Sequence, residues 1–529
     1  MKAMQLTTRY HLKTLLMADR FTTKILLARL LFILLMTGCF PIHSFAQPGS
    51  LDNTFGTNGK VITTLGSFSD KGNSIAIQGD DKIILVGSTY NSFTTSDFAL
   101  IRYNSDGNLD TSFGVDGKVI TPVESRSEAN SVVIQSDGKI LLGGSSKYYL
   151  NLVRYNSDGT LDTTFGTGGK VITDVNGYYS EKCKSVAIQS DGKILLGGYG
   201  QHNNNDNPYF IIVRYNTSGS LDATFGIDGI VIGDVGKGNS IGIQSDGKIL
   251  LGGSSNLSFA IERYNTNGTL DNTFGLDGKV TTALGINGEG NSMVIQSDGK
   301  IVLGGSSSSD NMDFALVRYN SNGTLDIAFG INGKVITPHG SSSKGNAVVI
   351  QSNGKIVLGG NASNNANNYN FALVRYNSDG TLDNTFGIDG KIITPIGVSY
   401  SIGQSLDIDS NGKIMLGGYV YNGSNADISL VRYNGDASVG IGEVSFKQRD
   451  SKIYPNPFNS STIIDFSTSL HSAELNIYNT HGQLVKQVEN ISGKEIQLSR
   501  SNLPSGIYFL QLTENNKIIV VDKLIISDE

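Results

Sequence analysis

The sequence predicts an all-β protein: a seven-bladed β-propeller of four-stranded blades, followed by a small Ig-like β-sandwich. The prediction rests on three short strings, each of which occurs seven times within residues 47–434. Copies recur at intervals of about 55 residues, which is the length that a four-stranded blade requires. Between the strings lie short runs rich in Val, Ile, Leu and Tyr, and none reaches the length of a helix.

One copy shows how the four strands of a blade are arranged. Its apolar runs are SVVIQ, KILLGG, LNLVRYN and GKVIT, within residues 131–173. Asp-Gly pairs at 137–138 and 158–159 separate the first run from the second and the third from the fourth. Because Asp-Gly accepts the positive φ of a tight hairpin turn, the four strands should run up and down in sequence order.

The seventh copy is divided between the two ends of the repeat region. Residues 51–63 contain only a fourth strand, whereas the last copy stops at Asn434, after a third strand. Pairing of these two strands would close the ring. In the other copies an Arg and an Asp lie eight residues apart across a turn, which favours a structural ion pair over a ligand site. We therefore expect Asp52 to meet Arg432 when the ring closes.

These motifs resemble a known repeat. Gln-Ser-Asp-Gly-Lys, Gly-Gly, Val-Arg-Tyr-Asn, Asp-Gly-Thr-Leu-Asp and Phe-Gly follow one another as in the delta-60 repeat, a propeller-like unit of bacterial exported proteins. The resemblance implies a propeller and brings no settled activity with it.

The first 46 residues are typical of a signal peptide. Basic residues precede a short apolar run, and small residues, Ser44 and Ala46, stand where signal peptidase accepts them. Cleavage is expected between Ala46 and Gln47, and lipidation of Cys39 is the alternative. The apolar run is too short to span a bilayer, so we expect no transmembrane segment after cleavage.

The C-terminal part combines a polar linker, residues 435–452, with a second β domain, residues 453–529. The second domain resembles the type A sorting domain of the type IX secretion system. The residues that carry this resemblance are Tyr454, Pro455, Asn456, Pro457, Phe458, Gly482, Gly506 and Tyr508. The resemblance implies that type IX machinery is a partner and that the protein is secreted or located on the outer cell surface.

Composition excludes several kinds of partner and site. A net charge of −6 with 17% charged residues gives no basic surface for nucleic acid. His202 and His339 lie in different repeats, so a cluster of histidines around a metal is not expected. Cys183, the one cysteine after the leader, should be a packed thiol because it aligns with small residues in the other repeats.

No cofactor is expected, and calcium is the alternative. Asn156, Asp158 and Asp162 are spaced somewhat like ligands in a calcium loop, but Arg154 stands where an EF-hand-like loop would place an acidic residue. Turn formation explains the Asn and Asp without a metal.

A binding face is expected where the loops vary between repeats. The constant turns all fall at one end of the blades, so the variable loops share the other end, a layout typical of scaffolds that present a binding surface. These loops are rich in Asn, Ser, Gly and Tyr, which suit a glycan or a protein partner but are also ordinary loop residues. The candidate residues are Tyr199, His202, Asn204, Tyr209, Asn365, Tyr369, Tyr419 and Tyr421.

The sequence therefore predicts an exported or cell-surface propeller that acts as a non-catalytic binding or adhesion scaffold. The alternative is an extracellular propeller enzyme that acts on polysaccharide through paired carboxylates at the ring centre. Asp234 and Glu289 are carboxylates in variable loops that such an enzyme could use. No catalytic residue is assigned.

Overall fold

A computed structural model describes residues 47–436 and 451–528, apart from short gaps. The gaps are residues 67, 93–94, 176, 179, 204–205, 309–310, 364–367, 398, 480–483 and 515–516. The leader and residues 437–450 lie outside the described residues. The chain divides into two compact units, one on each side of the boundary between Ala437 and Ser438.

The described residues of the first unit form 28 strands in seven antiparallel four-stranded sheets, the blades. Blade 1 contains β2 (Asp70–Ile77), β3 (Ile83–Tyr90), β4 (Ser96–Tyr103) and β5 (Lys118–Thr121). Blade 2 contains β6 (Glu128–Ile134), β7 (Ile140–Ser145), β8 (Leu150–Tyr155) and β9 (Lys170–Thr173). Blade 3 contains β10 (Ser180–Ile188), β11 (Ile194–Gln201), β12 (Tyr209–Tyr215) and β13 (Ile230–Val235).

The other four blades repeat this arrangement. Blade 4 contains β14 (Lys237–Ile243), β15 (Ile249–Ser255), β16 (Ser258–Tyr264) and β17 (Lys279–Thr282). Blade 5 contains β18 (Asn287–Ile295), β19 (Ile301–Ser308), β20 (Met312–Tyr319) and β21 (Lys334–Thr337). Blade 6 contains β22 (Ser342–Ile350), β23 (Ile356–Ser363), β24 (Tyr369–Tyr376) and β25 (Lys391–Thr394). Blade 7 contains β26 (Ser401–Ile408), β27 (Ile414–Tyr421), β28 (Ala426–Tyr433) and, from the other end of the chain, β1 (Lys60–Thr63).

The hairpins form where the Asp-Gly pairs predict them. Gly138 and Gly159 have φ of 81° and 89°, a region that glycine enters without steric cost. Each second and third strand is almost fully buried, as expected for strands covered on both faces.

The blades are arranged in a closed ring with their first strands at the centre. The first strand of every blade contacts the first strand of the next, and β2 contacts β26 to complete the circle. The core lies between the blades. In one such cluster Phe98 and Leu100 of blade 1 pack against Val132 and Leu142 of blade 2. The predicted seven-bladed propeller is confirmed.

Blade 7 joins the two ends of the repeat region. β1 pairs with β28 in an antiparallel register from Lys60 opposite Val431 to Thr63 opposite Ile428. The N-terminal segment therefore supplies the outer strand of the last blade, at the place left open by the divided repeat.

A hydrogen bond at the outer strand links almost every pair of neighbouring blades. At six of the seven interfaces a buried Tyr hydroxyl bonds to a Thr hydroxyl of the preceding blade, as Tyr155 does to Thr121 at 2.7 Å. Between blades 3 and 4 the Thr position is Gly233, and the hydroxyl of Tyr264 bonds instead to the buried carboxyl of Glu262.

The second unit is also all-β, as predicted. Its strands are β29 (Ser451–Tyr454), β30 (Ser461–Asn479), β31 (Leu484–Ser499), β32 (Gly506–Glu514) and β33 (Lys517–Ile526). They form one continuous sheet in which β30 pairs with β29, β31 and β32. Register shifts along β30 and β31 let these long strands bend, and Phe458 bridges to Ile526, so the sheet nearly closes like a barrel. Its core includes Leu475, Leu510 and Leu524.

The described residues contain no helix that could cross a membrane.

Candidate binding face and central channel

The repeated Arg and Asp form a buried corner in every blade. The seven Nε–Oδ2 distances are 2.7–2.8 Å. In each corner the guanidinium also lies over the ring of the repeated Phe, 4.3–4.6 Å from its centroid. The repeated Lys adds a second cation, as Lys139 does 3.1 Å from Asp162. These residues are therefore engaged in holding the blade together.

The corner of blade 7 joins residues from opposite ends of the repeat region. Arg432 Nε lies 2.8 Å from Asp52 Oδ2, and Lys413 Nζ lies 2.6 Å from the same oxygen. Burial would raise the pKa of Asp52, but hydrogen bonds from Lys413 and Thr54 and the charge of Arg432 hold it at about 2. The carboxylate is thus charged at neutral pH.

Asp436 completes the neighbouring corner in blade 6. Elsewhere the guanidinium also donates to a turn carbonyl of the next blade, as Arg154 Nη1 does to Thr217 O at 2.7 Å. The turn that would serve Arg375 is the one divided between the chain ends. There Asp436 Oδ1 lies 2.6 Å from Arg375 Nη2, so this residue of the predicted linker contacts the propeller.

The acidic residues of the calcium-like loop bond to protein groups. Asp158 accepts hydrogen bonds from the backbone and hydroxyl of Thr160 at 2.9 and 2.7 Å, and Asp162 pairs with Arg154 and Lys139. Within the part of the chain that the structure describes, no group of three or more His, Cys, Asp or Glu could hold a metal ion.

Cys183 is fully buried between blades, and burial raises the pKa of its thiol well above the usual range. His339 is also buried, with Nε2 2.9 Å from the carbonyl of Ile392. Neither residue is presented at the surface.

We call the end of the propeller with the variable loops the loop face and the opposite end the turn face. Two of the candidate residues on the loop face, His202 and Tyr209, belong to a ring group in blade 3. His202 stacks on Tyr178 at 4.3 Å, Tyr209 stands edge-on to His202 at 5.6 Å, and His202 Nδ1 lies 2.6 Å from Gly177 O. Tyr178, which the sequence did not predict as part of the face, lies in the connection between blades 2 and 3 and completes this group.

A second aromatic group spans blades 1 and 7, and we call it the blade 7 aromatic cluster. It consists of Tyr400, Tyr419 and Tyr421, which contact one another, and Tyr90 of blade 1, which shares Lys71 with Tyr419. Tyr400 and Tyr421 stack at 4.0 Å, and Tyr419 stands edge-on to Tyr421 at 6.0 Å. Burial, with the neighbouring charges of Tyr421 and Glu128, raises the pKa of Tyr419 to about 12. All four rings are partly exposed.

The remaining candidate residues do not join these groups. Tyr369 hydroxyl donates to Ser342 Oγ at 3.3 Å in blade 6. Tyr199 lines the central channel instead, opposite Lys182 on the neighbouring strand. Asn204 and Asn365 lie outside the described residues, as does Ala46 at the expected cleavage site.

The centre of the ring is a polar channel of about 330 Å³. A register shift in each first strand leaves one residue unpaired, and its side chain lines this channel. We call these seven residues the channel ring: Asn73, Asn130, Lys184, Asn239, Asn291, Asn346 and Gln404. The Asn amides bond to the next blade, as Asn291 Nδ2 donates to Gly345 O at 2.8 Å. The sequence offered a signal for this ring, since Asn follows a small residue at the same place in five repeats.

A second set of side chains lies two residues earlier, nearer the loop face, and we call it the mouth ring. Its members are Lys71, Glu128, Lys182, Lys237, Glu289, Lys344 and Ile402. Glu128 accepts a hydrogen bond from Tyr90 at 2.8 Å, and Glu289 lies 3.0 Å from Lys344. A wider pocket of about 650 Å³ opens beside Lys237 and Glu289.

The two carboxylates of the enzyme alternative lie on different strands with different partners. Asp234 is on β13, an outer strand, and contacts Lys279, whereas Glu289 is on β18, an inner strand, and contacts Lys344. Each carboxylate thus has its own lysine.

In the second unit the sorting motif attaches the start of the sheet to its last strand. Asn456 Nδ2 donates to Lys523 O at 2.9 Å, and its Oδ1 accepts from Ile525 N at 2.8 Å. Phe458 is buried in the core, and the hydroxyl of Tyr508, also buried, donates to Pro504 O at 2.8 Å. The remaining motif residues are Tyr454 at the end of β29, Pro455 and Pro457 beside Asn456, Gly506 at the start of β32, and Gly482, which is outside the described residues.

Family models match both units. Seven segments match the model described as Domain of unknown function (DUF5122) beta-propeller: residues 78–113, 135–165, 189–225, 244–274, 296–329, 351–386 and 410–439. Residues 452–527 match the Secretion system C-terminal sorting domain. No curated protein matches the chain.

Several solved structures show a distant likeness. PorZ is an essential bacterial surface component of the type-IX secretion system of Porphyromonas gingivalis, and it is 13% identical with a TM-score of 0.41. The alignment covers 92% of this chain and 61% of PorZ, which is less than two thirds of the length of PorZ. Polysaccharide lyase Uly1 is 10% identical with a TM-score of 0.39, and the alignment covers 75% of this chain and 94% of Uly1. Virginiamycin B lyase from Staphylococcus aureus is 12% identical with a TM-score of 0.37, and the alignment covers 70% of this chain and 98% of the lyase.

The family matches confirm the predicted repeat propeller and the predicted sorting domain. The chain thus carries a DUF5122 beta-propeller region followed by a secretion system C-terminal sorting domain, and it is a secreted or cell-surface protein.

Proposed function

We propose that this secreted or cell-surface propeller is a non-catalytic binding or adhesion protein whose ligand docks on the loop face. The observation that carries the proposal is the blade 7 aromatic cluster, which presents four partly exposed tyrosine rings beside the channel mouth. Tyrosine offers a flat contact surface at low entropic cost, and the Asn and Ser of the loops add hydrogen bonds.

The distribution of charged residues supports the same proposal. The repeated Arg, Asp and Lys are engaged in corners on the turn face, so they do not serve a ligand on the loop face. Hydrolysis of a glycosidic bond usually needs two cooperating carboxylates. In the mouth ring Glu128 is bonded to Tyr90 and Glu289 is paired with Lys344.

The test is a binding screen of the secreted full-length protein against immobilised glycans and matrix proteins, with chromatography of any soluble products. Tyr400→Ala combined with Tyr421→Ala should abolish binding. The control combines Ile227→Ala with Ile388→Ala, which truncates two apolar side chains on the turn face that are 82% and 81% exposed. Saturable binding that only the tyrosine variant loses, without product, is the expected result. Release of oligosaccharides would contradict the proposal and favour a polysaccharide-degrading enzyme.

A further inference from the structure

The channel mouth is positively charged although the protein is acidic. The mouth ring and Lys184 together contain five lysines and two glutamates, whereas the whole chain has a net charge of −6. A cleft lined by charges of one sign concentrates ligands of the opposite sign. The mouth therefore differs in charge from the rest of the molecule.

Most of these lysines have no acidic partner. Elsewhere in the propeller the repeated lysines are paired, as Lys355 is with Asp383 at 3.0 Å. At the mouth one lysine, Lys344, is paired with Glu289. Among the described residues no carboxylate oxygen lies within 4.0 Å of the amines of the other four, which are Lys71, Lys182, Lys184 and Lys237.

The surroundings of Lys184 show that the charged side chains of the mouth lie close enough to influence one another. It stands in the channel ring where five blades have Asn, and its side chain is partly buried. Burial lowers the pKa of its amine, the charges of Lys182 and Lys344 lower it further, and Glu128 raises it. Burying a cation without a counterion costs free energy, and a bound anion would offset that cost.

The fold does not require lysine at the mouth. The same repeat position holds Glu128 in blade 2 and Ile402 in blade 7, and both blades form normally. With Glu289 in blade 5, three of the seven positions carry a residue other than lysine without loss of the ring, so the ring does not depend on the lysines.

Aromatic rings lie beside these cations. Lys71 Nζ is 5.4 Å from the centroid of Tyr90 and 5.9 Å from that of Tyr419, and both rings belong to the blade 7 aromatic cluster. Sugar rings have an apolar face that packs against such side chains, while their hydroxyl groups suit Asn and Ser. Cations and aromatic rings together match a sugar that carries a negative charge.

We propose that the channel mouth binds an acidic polysaccharide, with Lys71, Lys184 and Lys237 contacting its carboxylate or sulfate groups and the blade 7 aromatic cluster packing against a sugar ring. This inference rests on the proposed function and names the class of its ligand. Carboxylate and sulfate share the chemistry that the lysines recognise, so the experiment compares the two.

The test measures the affinity of the full-length secreted protein for polygalacturonate, dextran sulfate and neutral dextran. Lys71→Gln combined with Lys237→Gln should weaken binding of at least one acidic polymer about tenfold, and added salt should weaken it further. The control combines Lys118→Gln with Lys334→Gln, which removes the same charge from outer strands where the amines bond to backbone carbonyls. Lys71→Arg with Lys237→Arg should retain the affinity, which separates loss of charge from loss of fold.

Several results would overturn the inference. These are undiminished binding by the Gln variant of the mouth, an equal loss in the control, or equal affinity for neutral dextran. Polyglutamate binding as tightly as the polysaccharides would show a general polyanion site. If a neutral glycan binds and only the Tyr400→Ala and Tyr421→Ala variant loses it, the proposed function stands and the acidic ligand is wrong. If no glycan or matrix protein binds, both fail.

Discussion

Replacing Asp52 with Asn should open the ring at its closing blade. The variant keeps the size of the side chain but removes the charge that Arg432 and Lys413 share. Asp52 is 4% exposed, with Arg432 Nε at 2.8 Å and Lys413 Nζ at 2.6 Å. The buried Arg432 and the partly exposed Lys413 would therefore lose their carboxylate at once.

The size of the effect follows from two independent arguments. A pKa that falls from 3.8 to about 2 corresponds to roughly 2 kcal/mol of stabilisation at neutral pH. Removing one member of a buried ion pair costs about 3–5 kcal/mol in other proteins. We expect the free energy of unfolding to fall by about 2–4 kcal/mol.

The pH dependence has a definite sign. Because the folded pKa of Asp52 is below its unfolded value, the stabilisation is complete above pH 4 and is lost as pH falls towards 2. The difference between the wild type and Asp52→Asn should therefore be largest at neutral pH and shrink on acidification.

The assay is denaturant unfolding of the full chain together with hydrogen exchange read by mass spectrometry. Asp52→Asn should speed exchange in β1 and β28. Asp162→Asn is the matched control, because Asp162 makes the same contacts with Arg154 and Lys139 inside blade 2. Unchanged exchange in β1, or the same exchange pattern in both variants, would refute the reasoning.

Three further predictions concern individual sites. Burial raises the pKa of Glu181 to about 8, so the fold should lose stability as pH rises from about 4.5 to 8. Glu181→Gln should remove that loss, which is measured as the melting temperature against pH. Glu262→Val should destabilise the protein by about 1–3 kcal/mol, because the buried hydroxyl of Tyr264 loses its hydrogen-bond partner. Adding Gly233→Thr should restore stability, as a double-mutant cycle would measure. Asn456→Ala should lower the melting temperature of the sorting domain and the amount of protein secreted, whereas Asn459→Ala should not.

Each of these predictions has a result that contradicts it. For Glu181→Gln it is a melting curve with the pH dependence of the wild type. For the double-mutant cycle it is additivity, because a Cβ at Gly233 overlaps both the Glu262 carboxylate and the Tyr264 hydroxyl, so the threonine needs the carboxylate to be absent and the hydroxyl to shift. For Asn456→Ala it is secretion and stability equal to those of the wild type.

The propeller could be predicted because the turn residues in each repeat show which strands pair with each other. Seven copies of the same Asp-Gly turns fix the strand order, and the Arg and Asp eight residues apart are brought together by one turn. The divided copy then identifies the strand that closes the ring. These features depend on local sequence, so one sequence was enough.

The channel and mouth rings could not be derived in the same way. Their side chains meet across seven blades, and the register shift in each first strand decides which residue faces the channel. Tyr400 and Asp436 were missed for a related reason. Tyr400 lies in a connection between blades, and Asp436 follows the last repeat, so neither has a repeated equivalent that would reveal its role.

Lys184 also has a mechanical consequence for the ring. Every other interface between blades carries a hydrogen bond at the centre, which a channel-ring Asn donates or which a Ser or Asp of the same inner strand accepts. Among the described residues, the interface between blades 3 and 4 has none of these bonds, and Lys184 stands where an Asn amide would donate one. Glu262 still binds Asp234 N across that interface at the outer edge. Under heat or applied force, the interface between blades 3 and 4 should separate before the other interfaces. Separation should begin at the inner strands, and the outer edge, which Glu262 still holds, should act as the hinge.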